Sequence, residues 1–157
     1  MEELYLAYLA LLEELIACLG QLTDLAKQKS AAVRRDDLLA LDGVLKQEQA
    51  LSLSLRGHEQ KRLKLLKQMN LEQVPLSELY EHYPAGLKNR AKQTAEDLRS
   101  SYSIYRCAAE VARNTLECNL HELDKIVTGM GGPQPEASGY TPPQAEPPAN
   151  MKTDFRA

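Results

Sequence analysis

Tryptophan is missing from this 157-residue chain and phenylalanine occurs once, so no cluster of large aromatics can organise its core. β-Branched residues are sparse too, which removes the side chains that best suit a pleated sheet. Positive charge is not in excess: the net charge is -3 and the isoelectric point near 5.7, which leaves no electrostatic footprint for nucleic acid. Short basic clusters such as Lys61-Arg62 with Lys64 and Lys67 share their helix with Glu48 and Glu59 and read as a solvated face. Cysteine is limited to Cys18, Cys107 and Cys118, with no C-x-x-C pair. Such an odd, scattered set fits reduced thiols in the cytosol, packed as small buried side chains.

Catalytic constellations are lacking as well. His58-Glu59 and His121-Glu122 start like the helical zinc-protease motif, but the residue four after each histidine is Arg62 or Lys125. The paired Glu-x-x-His motifs of a di-iron bundle do not recur. Gly129-Met130-Gly131-Gly132 follows a helical pattern instead of opening one, so it fits no phosphate cradle. The three histidines, with His82 in a loop, read as surface or boundary residues. No catalytic, cofactor-binding or metal-binding residues are expected, and the chain is expected not to be an enzyme. Glu48, Glu59 and Arg62 stand out as polar groups on or near an apolar seam, and the three-residue step from Glu59 to Arg62 allows those two to pair.

Leu4 to Leu12 is almost wholly apolar, yet Glu2-Glu3 precede it and Glu13-Glu14 follow, where an export signal would begin with basic residues. The same glutamates oppose reading Leu15-Ile16-Ala17-Cys18 as a lipoprotein cleavage box. No run reaches the ~18 apolar residues of a membrane span. A soluble, cytoplasmic protein with no membrane span is expected.

What the chain has in abundance is leucine, followed by other strong helix formers. From about Glu2 to Ala32, Leu4, Tyr8, Leu11, Leu15, Cys18, Leu22 and Leu25 recur at alternating steps of four and three. Tyr5, Leu9, Leu12, Ile16, Leu19 and Ala26 form a second row one position on. Two adjacent rows make a stripe wide enough to face two neighbouring helices. Asp36 or Asp37 then caps a second helix running to about Met69, with Leu41, Val44, Leu51, Leu55, Leu65 and Met69 on its seam and Leu38, Leu45 and Leu66 beside it. The short connection between the two predicts an antiparallel hairpin.

Between Asn70 and Pro84 the rhythm fails, and Pro75 and Pro84 bracket a crossover in which Ser77 could cap one short turn. A third helix is predicted from Pro84 or Ala85 to about Thr128, with Gly129 as its C-cap. Its stripe runs Leu87, Ala91, Ala95, Leu98, Tyr102, Tyr105, Ala109, Ala112, Leu116, Leu120, Leu123 and Val127. The expected fold is all-α: an elongated antiparallel bundle of three long helices, each roughly 45 to 65 Å long at 1.5 Å per residue. From Gly129 onward the composition changes, with six of the eight prolines and four of the eight glycines in the last 29 residues. Residues 1–129 are therefore expected to form the bundle domain and 130–157 a disordered tail, punctuated by Tyr140, Met151 and Phe155.

The third helix carries apolar residues further than either partner, so its far end is expected to lack cover and to bind another protein through Leu116, Leu120, Leu123 and Val127.

The leucine-rich first helix, Lys29 near its end and Asp36-Asp37-Leu38 opening the second resemble the FlgN-type flagellar export chaperones. Gln47-Glu48-Gln49 and Glu59-Gln60-Lys61-Arg62 match that family's second helix, Asn114 with Leu116 and Leu120 its third, and Tyr140 with Phe155-Arg156-Ala157 its tail. The resemblance implies a cytosolic chaperone that binds the terminal helices of hook-associated flagellar proteins and delivers them to the export gate. It adds Asn114 to the client-binding stripe and assigns Tyr140, with Phe155 beside it, to docking at the gate. The near-heptad spacing leaves a second reading open, a self-associating coiled-coil scaffold without a client, or a weak homo-oligomer.

Overall fold

The computed structural model describes residues 1–131, which hold three α-helices and no strand: α1 (Glu2–Arg34), α2 (Leu38–Gln68) and α3 (Lys88–Gly129). A short 3₁₀ turn at Leu79–His82 lies in the crossover between α2 and α3. Packing divides the chain into two units, Met1–Asn119 and Leu120–Ala157. The all-α expectation holds.

Within the first unit α1 is the spine. Fourteen of its residues are buried, from Tyr8 to Val33, against two in α2 (Val44 and Leu66) and three in α3 (Ala91, Thr94 and Ala112). Both predicted rows of α1 are covered, with Leu11, Leu15, Leu22 and Leu25 of one and Leu9, Leu12, Leu19 and Ala26 of the other buried. At roughly 1.5–3 kcal/mol for each fully buried leucine, this stripe is the main source of stability. An 18-residue window of α1 has a mean hydropathy of 1.4, enough by length and composition to cross a membrane, but half of that window is buried inside the bundle. Burial of that extent is what a core helix shows.

The hairpin between α1 and α2 is locked by local chemistry. Asp36 takes the left-handed conformation with φ of 53°, which asparagine and aspartate tolerate better than most residues. Its N–H donates to Val33 O at 3.2 Å and that of Asp37 to Ala32 O at 3.0 Å, the paired bonds of a Schellman stop. The Asp37 carboxylate then accepts from the Ala40 N–H at 3.0 Å and starts α2. The end of α2 repeats the device. Asn70, with φ of 56°, donates to Lys67 O at 3.1 Å and Leu71 to Leu66 O at 3.0 Å, and Leu66 and Leu71 share the core.

Cross-links fix the order of the helices. Lys29 of α1 pairs with Glu48 of α2, and Glu14 faces His58 at 3.3 Å, so the two run antiparallel. Arg90 of α3 reaches Glu13 at 2.7 Å and Asn119 reaches Asp36 at 3.4 Å, so α3 runs parallel to α1.

Several expectations need correction. The crossover predicted between Asn70 and Pro84 spans 69–87, and it also fills the core: Leu71, Leu79 and Tyr83 are buried beside Tyr8, Leu9 and Leu12. The Tyr5 and Tyr83 rings sit 4.7 Å apart between centroids, tilted by 51°. Ser77 caps nothing, because the 3₁₀ turn begins after Glu78 without a side-chain cap. Regular α3 begins at Lys88, the backbone from Pro84 to Leu87 forming a turn that leads into it. Leu38 and Leu45 are exposed, not beside a covered seam, and so is Tyr102. Cys18 is buried as expected, but Cys107 and Cys118 are exposed, because their positions fall off the apolar stripe. The expected tail from 130 onward lies, apart from Met130 and Gly131, outside the described residues.

The crossover plug yields a direct test. Leu79→Ala should lower unfolding free energy by about 2–4 kcal/mol, as a buried leucine does. Leu39→Ala, at a position 87% exposed, should change it by less than about 0.5 kcal/mol. Urea denaturation of both variants checks this.

Candidate functional site

Among the described residues the fold brings together no group of three or more His, Cys, Asp or Glu that could hold a metal ion. What it leaves open are two apolar surfaces. The first lies within the unit Met1–Asn119, where α2 and α3 both pack on α1 but leave a trough of about 820 Å³ between them. Leu15 and Leu19 of α1 line it and are themselves buried, so they form its floor. Leu55 and Leu63 of α2 and Leu98, Tyr102 and Tyr105 of α3 form its walls, with Val74, Pro75 and Leu76 of the crossover at one end.

The trough's polar rim is ordered around Arg62. Its Nε donates to Glu59 at 2.9 Å and its Nη2 at 2.7 Å, the bidentate pair that the sequence spacing anticipated. The hydrogen bond from Arg62 holds the Glu59 carboxyl below its ordinary range, against a smaller opposing effect of partial burial. Beneath this pair the Tyr8 hydroxyl is buried without a hydrogen-bond partner. Burial pushes its pKa up, and the nearby Arg62 cation offsets part of that rise. Tyr83 is raised for the same first reason, loss of solvent. Glu48, by contrast, is half-buried and pairs with Lys29 across the hairpin, so the predicted polar group divides into two ion pairs.

The second surface is the apolar stripe of α3. Asn114 is exposed and Leu116 half-buried, both in the first unit. In the second unit Leu120, Leu123 and Val127 are exposed, Leu120 at 57%, and Ile126 and Met130 join them. Within the second unit the steps from Leu120 to Leu123, Val127 and Met130 alternate three and four, so these residues follow one helical face. Tyr140 and Phe155 lie outside the described residues.

A family model described as FlgN protein matches residues 1–148. The chain belongs to the FlgN family. That match spans nearly all of the sequence, including Tyr140, while Phe155 falls beyond it. Comparison with curated proteins and with solved structures gave no match. FlgN proteins are flagellar export chaperones that bind hook-associated proteins, a family of binding proteins and not of enzymes. Two residues quoted for the resemblance, Lys29 and Glu48, are brought together as an interhelical ion pair, and Glu59 and Arg62 as an intrahelical one.

The trough escaped sequence reasoning. Leu55, Leu98 and Tyr105 had been placed on seams, but a seam does not reveal that the third side of a three-helix arrangement stays open. The one available signal was width: α1 has two apolar rows, enough to hold α2 and α3 side by side.

The Glu59–Arg62 pair has a pH signature. A carboxylate with a lower pKa in the folded than in the unfolded chain adds stability above its unfolded value of about 4.3, and that contribution disappears as pH falls through the folded value. Both side chains are partly exposed, so solvent screens the pair and its worth is about 0.2–1 kcal/mol. Glu59→Gln should therefore cost about that much at pH 7, and the cost should shrink as pH falls below the unfolded value of about 4.3 and through the folded one. Denaturation of mutant and wild type across this range measures the gap.

Proposed function

We propose that this FlgN-family chain is a cytoplasmic chaperone that holds the terminal helices of hook-associated proteins and carries them to the flagellar export gate. The observation that carries the reading is the family match together with the exposed stripe on α3. Exposed leucines in series are costly to leave in water, and a client helix that is itself aggregation-prone would cover them. The client is taken by Leu116, Leu120, Leu123 and Val127, with Asn114 bonding its backbone. Tyr140, helped by Phe155, docks the loaded chaperone at the gate. Neither step calls on a nucleotide or a metal.

The stripe's four-three spacing also suits self-pairing, and one set of variants separates the readings. Leu120→Asp with Leu123→Asp should weaken binding of a hook-associated terminal helix by at least about a hundredfold, since each buried leucine contributes roughly 1.5–3 kcal/mol. The melting temperature should move by no more than about 3 °C, as expected for surface positions. Calorimetric titration and thermal melting read both numbers. A collapse in melting temperature would make the leucines core, and a stable oligomer dissolved by the double change would favour the scaffold. Tyr140→Ala should lower client secretion and leave client affinity intact; equal secretion would remove Tyr140 from the gate step.

A further inference from the structure

The trough between α2 and α3 is lined by other residues than the stripe assigned to the client, and its rim carries an arginine on each wall. Arg56 on α2 and Arg99 on α3 line opposite walls and are exposed. Neither forms an ion pair among the described residues. Arg62 adds a third guanidinium, already bonded to Glu59, and Glu72 is the remaining carboxylate at the rim. Arg56, Arg62 and Arg99 against Glu59 and Glu72 leave the rim net positive in a chain of net charge -3.

We propose that the trough is a second docking surface, for an amphipathic helix of another protein with leucine-type side chains on its inner face and carboxylates along both flanks. Its floor and walls are apolar, which suits side chains spaced at i, i+3 or i+4, and i+7. The wall from Leu55 to Leu66 covers three turns of α2, roughly 16 Å, long enough for three such anchors. The unpaired guanidinium on each bank then selects the charge of the flanks. A helix with basic flanks would bring like charges against Arg56 and Arg99 as water leaves, which disfavours it.

The test uses the full chain and two labelled peptides of about 18 residues, long enough to be helical when bound. Both carry leucines at helical spacing on one face; one has glutamates on both flanks, the other lysines. Fluorescence anisotropy should show the glutamate peptide binding at least about tenfold more tightly. R56E with R99E should reverse that preference, and its melting curve should match wild type because both arginines are exposed. If the reversal unfolds the chain, R56Q with R99Q should abolish the discrimination. Four results would overturn the proposal: no binding of the glutamate peptide; equal binding of the two peptides; binding that survives the charge reversal but is lost in L120D with L123D; and a wild-type dimer in sedimentation equilibrium that the charge reversal dissolves, which would give the trough to a second copy.

Discussion

Burial of the α1 stripe is the constraint on which the first unit depends. That helix carries two apolar rows and needs two partners to cover them. α2 covers one flank and α3 the other, each with a single row and a polar back. Once both rows of α1 are covered, Leu55 and Leu63 of α2 and Leu98, Tyr102 and Tyr105 of α3 still line the trough between those two helices. The trough is therefore apolar surface that packing on α1 alone does not cover.

Polar interactions set the register that hydrophobic burial leaves loose. Leucines tolerate sliding along a groove, whereas Lys29 and Glu48 form their interhelical pair in one alignment. The Schellman stops at Asp36 and Asn70 fix where each helix ends. The second stop also delivers Leu71 into the core, so the chain leaves α2 already committed to the plug of Leu71, Leu79 and Tyr83. Two tyrosine hydroxyls, of Tyr8 and Tyr83, are buried there without partners. Their rings contribute apolar contact that outweighs the desolvation of the oxygens.

Much of this architecture was legible in the sequence, and the limits have physical reasons. The rows of α1 could be read residue by residue because the apolar spacing repeats over about six turns. The Asp37 cap and the Glu59–Arg62 pair were legible because both are local, depending on residues three apart. The crossover was recognised by its loss of rhythm, but rhythm says nothing about which side chains of an irregular segment turn inward. Leu79 and Tyr83 were invisible as core for that reason. Cys107 and Cys118 were misplaced because residue type was allowed to outweigh helical position. The trough was not legible because it depends on how two helices sit on a third, which no single helix encodes.

A bundle satisfied on one side and open on another suits a chaperone, which must be stable alone yet keep apolar surface for others. FlgN-family membership names the class of protein that would use that surface, and the central claim is that this chain holds hook-associated clients. Affinity purification of the full chain from a flagellated cell that makes it, with quantitative mass spectrometry of what accompanies it, tests this most directly. Hook-associated proteins should co-purify in near-equal amount. Recovery of the chain bound only to itself would contradict it.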